Sequence, residues 1–196
     1  MARKYLNEHV AVLLTQAEFA RLGRVLDEAL WVGGTNPRAV AAIRLLMLTG
    51  CRKREILTLL WADVDLKSRE LRLRDSKVGL REVPLSPSAV RLLAGLPRPA
   101  GNEWVFPGRK PGTCLENIDG AWRVIRERAG LTDVRVHDLR HSFASSALAL
   151  GESLPTIQKL LGHKRISSTV RYAHLARTAV HEAANRIASS LAEDIL

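Results

Sequence analysis

The sequence predicts an α+β fold, mainly α-helical, with one small antiparallel sheet. Apolar residues recur at helical spacing between Asn-Pro, Ser-Pro and glycine punctuation. Only the stretch from Glu70 to Leu85 alternates polar and apolar residues with period two. With 46% hydrophobic and 26% charged residues among 196, the chain can bury a core, and its length suits one domain or a tightly joined pair. It contains no internal repeat and no low-complexity tract.

Taken in order, the elements follow from local chemistry. Thr15 with Glu18 three residues on is a capping box, and opens a helix to about Leu30. Gly33-Gly34 breaks it. Asn36 as cap and Pro37 at the first helical position start a second helix, which Gly50 stops. Cys51 to Leu60 reads as helical. Glu70 to Arg74 and Arg81 to Leu85 read as a β-hairpin turning near Val78-Gly79, and Ser86 to Leu93 as a short helix. The Pro/Gly-rich run from Gly95 to Gly112 is loop, with one extended piece at Trp104-Val105-Phe106. Helices are expected from Leu115 to Ala129, from His137 or Asp138 to Leu150, and from Pro155 to Leu161, each closed by a glycine. The last helix, Thr178 to about Leu191, carries one apolar stripe of Val180, Ala184, Ile187 and Leu191.

A formal net charge of +10 favours a polyanionic partner, most often nucleic acid, although a basic balance alone also fits a merely soluble domain. From Tyr172 onward Arg177 and Arg186 face Glu182, Glu193 and Asp194, so the positive excess lies ahead of the tail. Two distant cysteines, Cys51 and Cys114, make a disulfide framework or a cysteine zinc site improbable, and a reducing cytoplasm is the expected setting. The apolar run from Ala39 to Leu48 is interrupted by Arg44 and too short to span a bilayer. The N-terminus has no apolar segment of the secretory kind.

Several clusters carry chemistry, and each alone also fits an ordinary structural role. Arg52 stands just past the helix-ending Gly50, with Glu55 three residues later, and could be a solvated basic turn. Lys77 sits in the hairpin turn. His137 and Arg140 share one face of a helix's first turn, where free N–H groups and the positive end of the dipole favour an anion. His137 and His141 lack the third ligand that a zinc site would need at this spacing. His163 follows Leu161-Gly162, and Tyr172, one of two tyrosines, is either an amphipathic core residue or a nucleophile. Together they ask for one explanation. Paired guanidinium forks match phosphate oxygens, a lysine can protonate a leaving alkoxide, and a tyrosine can attack phosphorus. That is phosphoryl transfer with no metal and no cofactor, and no nucleotide-binding P-loop is present.

These residues resemble the tyrosine recombinases, or phage-type integrases, from about Leu14 to Leu175. Leu45 to Leu57, containing Thr49-Gly50-Cys51-Arg52-Lys53-Arg54-Glu55, is similar to the family's first box, with Arg52 its first arginine and Glu55 its acidic companion. Lys77 ahead of Val83-Pro84-Leu85 is similar to the hairpin lysine. His137 and Arg140, followed by His141-Ser142-Phe143-Ala144, resemble the H-x-x-R box. His163 resembles the second histidine, and Tyr172 in Thr169-x-x-Tyr172-Ala173-His174 the nucleophile.

The resemblance implies a mainly helical catalytic core and a site-specific recombinase acting on double-stranded DNA. Tyr172 would form a 3′-phosphotyrosyl bond, Arg52, Arg140 and His163 would hold the nonbridging oxygens, Lys77 would be the general acid, and His137 would assist proton movement. It also implies residues 1–14 as linker remnant, 15–177 as catalytic domain and 178–196 as a tail helix that docks on a neighbouring subunit of a tetramer. The resemblance further implies a helical DNA-binding domain ahead of the catalytic one, which is expected to be absent from these 196 residues. A type IB topoisomerase is the nearest rival; a non-catalytic DNA-binding regulator on the same fold is the rival of a different class.

Overall fold

Helix α1 (Gln16–Trp31) begins where its capping box sits: the Glu18 N–H donates to Thr15 Oγ1 at 3.3 Å, and Glu18 Oε2 accepts the Thr15 N–H at 2.9 Å. In this computed structural model, which describes residues 13–73 and 79–163 together with 165, 169 and 188, the expected mainly helical fold with a small antiparallel sheet is present. The chain forms two compact units, Met1–Phe143 and Ala144–Leu196.

In the first unit, α2 (Pro37–Thr49) is the central element. Asn36 Oδ1 accepts the Arg38 N–H at 3.0 Å, and Pro37 at the first position needs no donor partner. Ala39 through Ile43, then Leu45 and Leu46, are buried almost all round the helix, as an interior helix requires. It packs against α1, α3 (Lys53–Leu57), α4 (Pro87–Ala94) and α5 (Asp119–Arg128). Leu22, Leu26, Ile43, Leu45, Ile56, Leu71, Phe106 and Ile125 meet in one fully buried core. Truncating a leucine such as Leu26 there to alanine removes about 2–5 kcal/mol.

The sheet is β1 (Val64–Asp65), β2 (Glu70–Leu73) and β3 (Arg81–Pro84), antiparallel in that order. Leu71 pairs with Val83 and Leu73 with Arg81, so these four side chains share the buried face. Residues 74–78 of the β2–β3 connection, including Lys77, lie outside the described residues.

Two helices are shorter than the sequence predicts. The 51–60 segment is helical only over α3, because Leu59 and Leu60 turn to extended pairing: the Val105 N–H donates to Leu59 O at 2.9 Å, and Leu60 bridges Trp104. A 3-10 turn at Trp61–Asp63 follows. Leu115 is not helical, since its N–H donates to Phe106 O at 2.7 Å, and α5 starts only at Asp119. The apolar 115–118 run is core loop. The strand β1 was not expected.

Helix α6 (Val136–Ala149) starts on a box formed by Asp138, whose Oδ2 accepts the Arg135 N–H at 2.8 Å. The indole Nε1 of Trp122 and Nη1 of Arg126 both donate to Val134 O, at 2.9 and 3.0 Å, which fixes the approach to that first turn. In the second unit, α7 (Leu154–Leu161) has Ser153 as cap and Gly162 in the left-handed region at φ 62°. The expected helix from Thr178 to Leu191 lies outside the described residues. Among the described residues no helix is long and apolar enough to cross a membrane.

Candidate active site

The site is built around the loop that leaves α2. Gly50 adopts φ 62°, which a glycine accepts without a Cβ clash. Its carbonyl receives Arg140 Nη1 at 2.7 Å, so the α6 arginine is anchored to the loop that carries Arg52. Arg140 is only 4% exposed. Burial first, then the charge of Arg52, pushes its pKa down to about 10, and it remains a cation at neutral pH.

Arg52 precedes α3, and Glu55 at the third helical position turns back on it. Glu55 Oε2 accepts the Arg52 N–H at 2.7 Å, and Oε1 accepts Arg52 Nη1 at 2.7 Å. The carboxylate thus serves as a helix-start partner and as the clamp of the Arg52 side chain. About a third of the Arg52 side chain stays open to solvent (34%), against 7% for Glu55, so the guanidinium can reach a ligand while its holder is buried.

His137 lies one turn before His141, and the two rings meet edge to face with centroids 4.8 Å apart. Partial desolvation, then the positive charge of Arg140, holds the His137 pKa below its usual 6.5; Asp138 pulls the other way, and Arg135 and Arg52 add to the lowering. His137 is therefore a neutral imidazole at pH 7. Asp138, fully buried, grips Arg135 through Nε at 3.1 Å and Nη2 at 2.9 Å. Beside His137 a cavity of about 470 Å³ is lined by Lys53, Arg123, Arg126 and Arg135, with Asp119 and Trp122.

The first unit therefore brings together Arg52, Glu55, His137 and Arg140 from the predicted set. His163 belongs to the second unit, where its Nδ1 is 2.9 Å from Thr169 Oγ1 and its backbone N–H donates to Gln158 O at 3.0 Å. Thr169 is fully buried. Lys77 and Tyr172 lie outside the described residues. Sequence reasoning missed Arg81, whose Nη2 donates to Glu55 Oε2 at 3.0 Å and lies 3.3 Å from Cys51 Sγ. The signal was available: a charge standing at a core-facing position of a period-two strand. Among the described residues no three His, Cys, Asp or Glu side chains gather as a metal ion would need.

A mainly helical core with one small sheet and two guanidinium groups set about a glycine turn defines a class as well as a geometry. The chain belongs to the phage integrase family, whose sequence profile it matches over residues 13–178, and its fold is that of a tyrosine recombinase catalytic domain. It is 35% identical over 138 residues to tyrosine recombinase XerA of Saccharolobus solfataricus, covering 68% of this chain and 44% of the relative. It is 34% identical over 176 residues to tyrosine recombinase XerC of Roseiflexus castenholzii, covering 81% and 55%. Among solved structures, a XerA recombinase superposes with TM-score 0.72 at 28% identity, covering 89% of this chain and 65% of that one. The catalytic domain of bacteriophage HP1 integrase superposes with TM-score 0.64 at 26% identity, covering 88% and 93%. The chain spans about half the length of the curated relatives it matches.

Proposed function

We propose that this chain is the catalytic domain of a site-specific DNA recombinase, cutting and rejoining strands through a 3′-phosphotyrosyl intermediate. The observation that carries the reading is the pair Arg52 and Arg140, Arg140 anchored on Gly50 O two residues ahead of Arg52 and each oriented by its own acceptor, in a member of this family. Oriented forks held before the charge develops cost no reorganisation during reaction.

In this mechanism the phenol oxygen of Tyr172 attacks the scissile phosphorus, and the bond to the 5′-oxygen breaks. His137, neutral at pH 7, takes up the phenol proton. Lys77 gives a proton to the departing 5′-oxygen, leaving a free 5′-hydroxyl. Arg52 and Arg140 hold the nonbridging oxygens. His163 joins them through Nε2, which carries the proton when Nδ1 accepts from the Thr169 hydroxyl. Because the phosphotyrosyl link keeps the bond energy, a second 5′-hydroxyl can reverse the steps without ATP, a metal or another cofactor.

The partner is double-stranded DNA. Relatives of similar fold include a XerH recombinase bound to its difH substrate in a pre-cleavage complex. Residues 15–177 act as the catalytic domain, 178–196 as a tail that docks on a neighbouring subunit of a tetramer, and the setting is cytoplasmic.

The test is covalent trapping on a nicked suicide substrate, read as a gel shift that survives denaturant. The wild-type chain should trap and Tyr172→Phe should not, while DNA binding stays nearly intact. Trapping by Tyr172→Phe would remove the tyrosine from the mechanism, and strong inhibition by EDTA would point to a metal nuclease. Supercoil relaxation without exchange between two sites would favour the type IB topoisomerase reading, and binding without trapping the non-catalytic regulator.

A further inference from the structure

Strand β3 obeys period two, and that rule places Arg81 inward with Val83, opposite Leu73. An apolar residue is the ordinary occupant of such a position. A buried guanidinium costs free energy unless a charged partner offsets its desolvation. Arg81 is 7% exposed, and its partner is Glu55, equally buried. One carboxylate therefore stands between two arginines: Oε1 faces Arg52 Nη1, while Oε2 takes both the Arg52 backbone N–H and Arg81 Nη2. With Arg81 on one side, Glu55 cannot rotate freely, and Arg52 is held against an acceptor whose own position is fixed. Arg81 also pairs with Leu73 in the last register pair of the β2–β3 ladder, so that ladder and the Arg52 loop are linked through a single carboxylate.

We propose that Arg81 is a positioning residue for strand cleavage: through Glu55 it sets the Arg52 guanidinium against the scissile phosphate. This rests on the recombinase reading given above. Arg81 itself touches no reacting atom, and its contribution is therefore conditional on Arg52.

That condition is what the experiment reads. Single-turnover trapping on the suicide substrate is measured for the wild type, Arg81→Met, Arg52→Ala and the double variant, with DNA affinity and melting temperature recorded for each. Arg81→Met should slow trapping about 10- to 100-fold at unchanged DNA affinity, and should add nothing once Arg52 is alanine. Equal losses in both backgrounds would overturn the inference.

Should Arg81→Met fold poorly, Arg81→Met combined with Glu55→Met removes both partners of the buried pair. Its melting temperature should recover while trapping stays low. Recovery of trapping in step with stability would reduce Arg81 to a purely structural residue. Arg81→Lys, which keeps the charge but loses the fork, should restore trapping only in part; no restoration beyond Arg81→Met would overturn the role assigned to the charge. If the wild type itself gives no trapped complex, the recombinase reading fails and this inference with it. Normal wild-type trapping with additive losses defeats this inference alone.

Discussion

Arg140 combines near-complete burial with a positive charge, an arrangement whose desolvation cost must be offset by acceptors and nearby opposite charge, here Gly50 O and Glu55. Its Nη1 is committed to Gly50 O, and Arg52 is committed to Glu55, so neither fork must find its orientation when charge builds on a phosphate. Arg52→Ala or Arg140→Ala should accordingly slow suicide-substrate trapping by orders of magnitude, since each removes roughly 3–4 kcal/mol of charge stabilisation. A near-normal rate in either variant would exclude that residue from the site.

His137 allows a pH test with a definite sign. Its folded pKa lies below the usual 6.5, so the unfolded chain binds the proton more readily. The stability tied to the neutral ring is complete above 6.5 and declines as pH falls toward the folded value. Cleavage that needs the neutral ring should show an acid limb whose midpoint lies below 6.5. His137→Gln should abolish that limb and flatten the acid side of the melting temperature profile. A limb at or above 6.5 in the wild type would contradict the assignment.

At the scale of elements, the glycine that ends α2 does more than stop a helix. Gly50 at φ 62° turns its carbonyl toward Arg140, and any side chain there would strain the backbone by about 1–2 kcal/mol. Gly130 has nearly the same conformation, at φ 64°, with open space where a Cβ would go. Gly50→Ala and Gly130→Ala should therefore lose similar stability in thermal melts, yet only Gly50→Ala should lose trapping beyond that loss. Equal rates in the two variants would mean that the carbonyl does not place Arg140.

The caps, the helix-ending glycines and the β2–β3 pairing were legible in the sequence because they are local: Thr15 with Glu18, Asn36 with Pro37, and an alternation that needs no tertiary context. The true length of the 51–60 helix was not legible, because Leu59 and Leu60 are taken by a bridge to residues more than forty positions away. Leu115 is likewise drawn out of helix, by a backbone bond to Phe106 across the intervening loop. Of the site, Arg52, Glu55, His137 and Arg140 could be read as ordered motifs. Arg81 left only half a signal, a charge at an alternating strand position; that Glu55 lies beneath it depends on the tertiary packing of β3 against the Arg52 loop.

At the scale of the whole molecule, the net charge of +10 becomes informative only where it is placed. The cavity beside His137 has Lys53, Arg123, Arg126 and Arg135 on its wall, against Asp119, which Lys53 pairs at 3.0 Å. Arg126 is engaged with Val134 O and Arg135 with Asp138, which leaves Arg123, exposed on α5, as the wall's most adaptable cation. Arg128 lies on the same helix, five residues and thus about 140° away around the axis, and it pairs with Glu28 of α1 at 3.0 Å. If the wall follows a DNA backbone leaving the scissile phosphate, Arg123→Ala should weaken binding of any duplex sequence. It should also lower the steepness of log K against log salt by about 0.9 for each phosphate that the protein then leaves unneutralised. Arg128→Ala should leave that slope unchanged, because its charge is already spent on another helix. Equal slopes for the wild type and Arg123→Ala would place the DNA path away from α5, whatever the trapping experiments give.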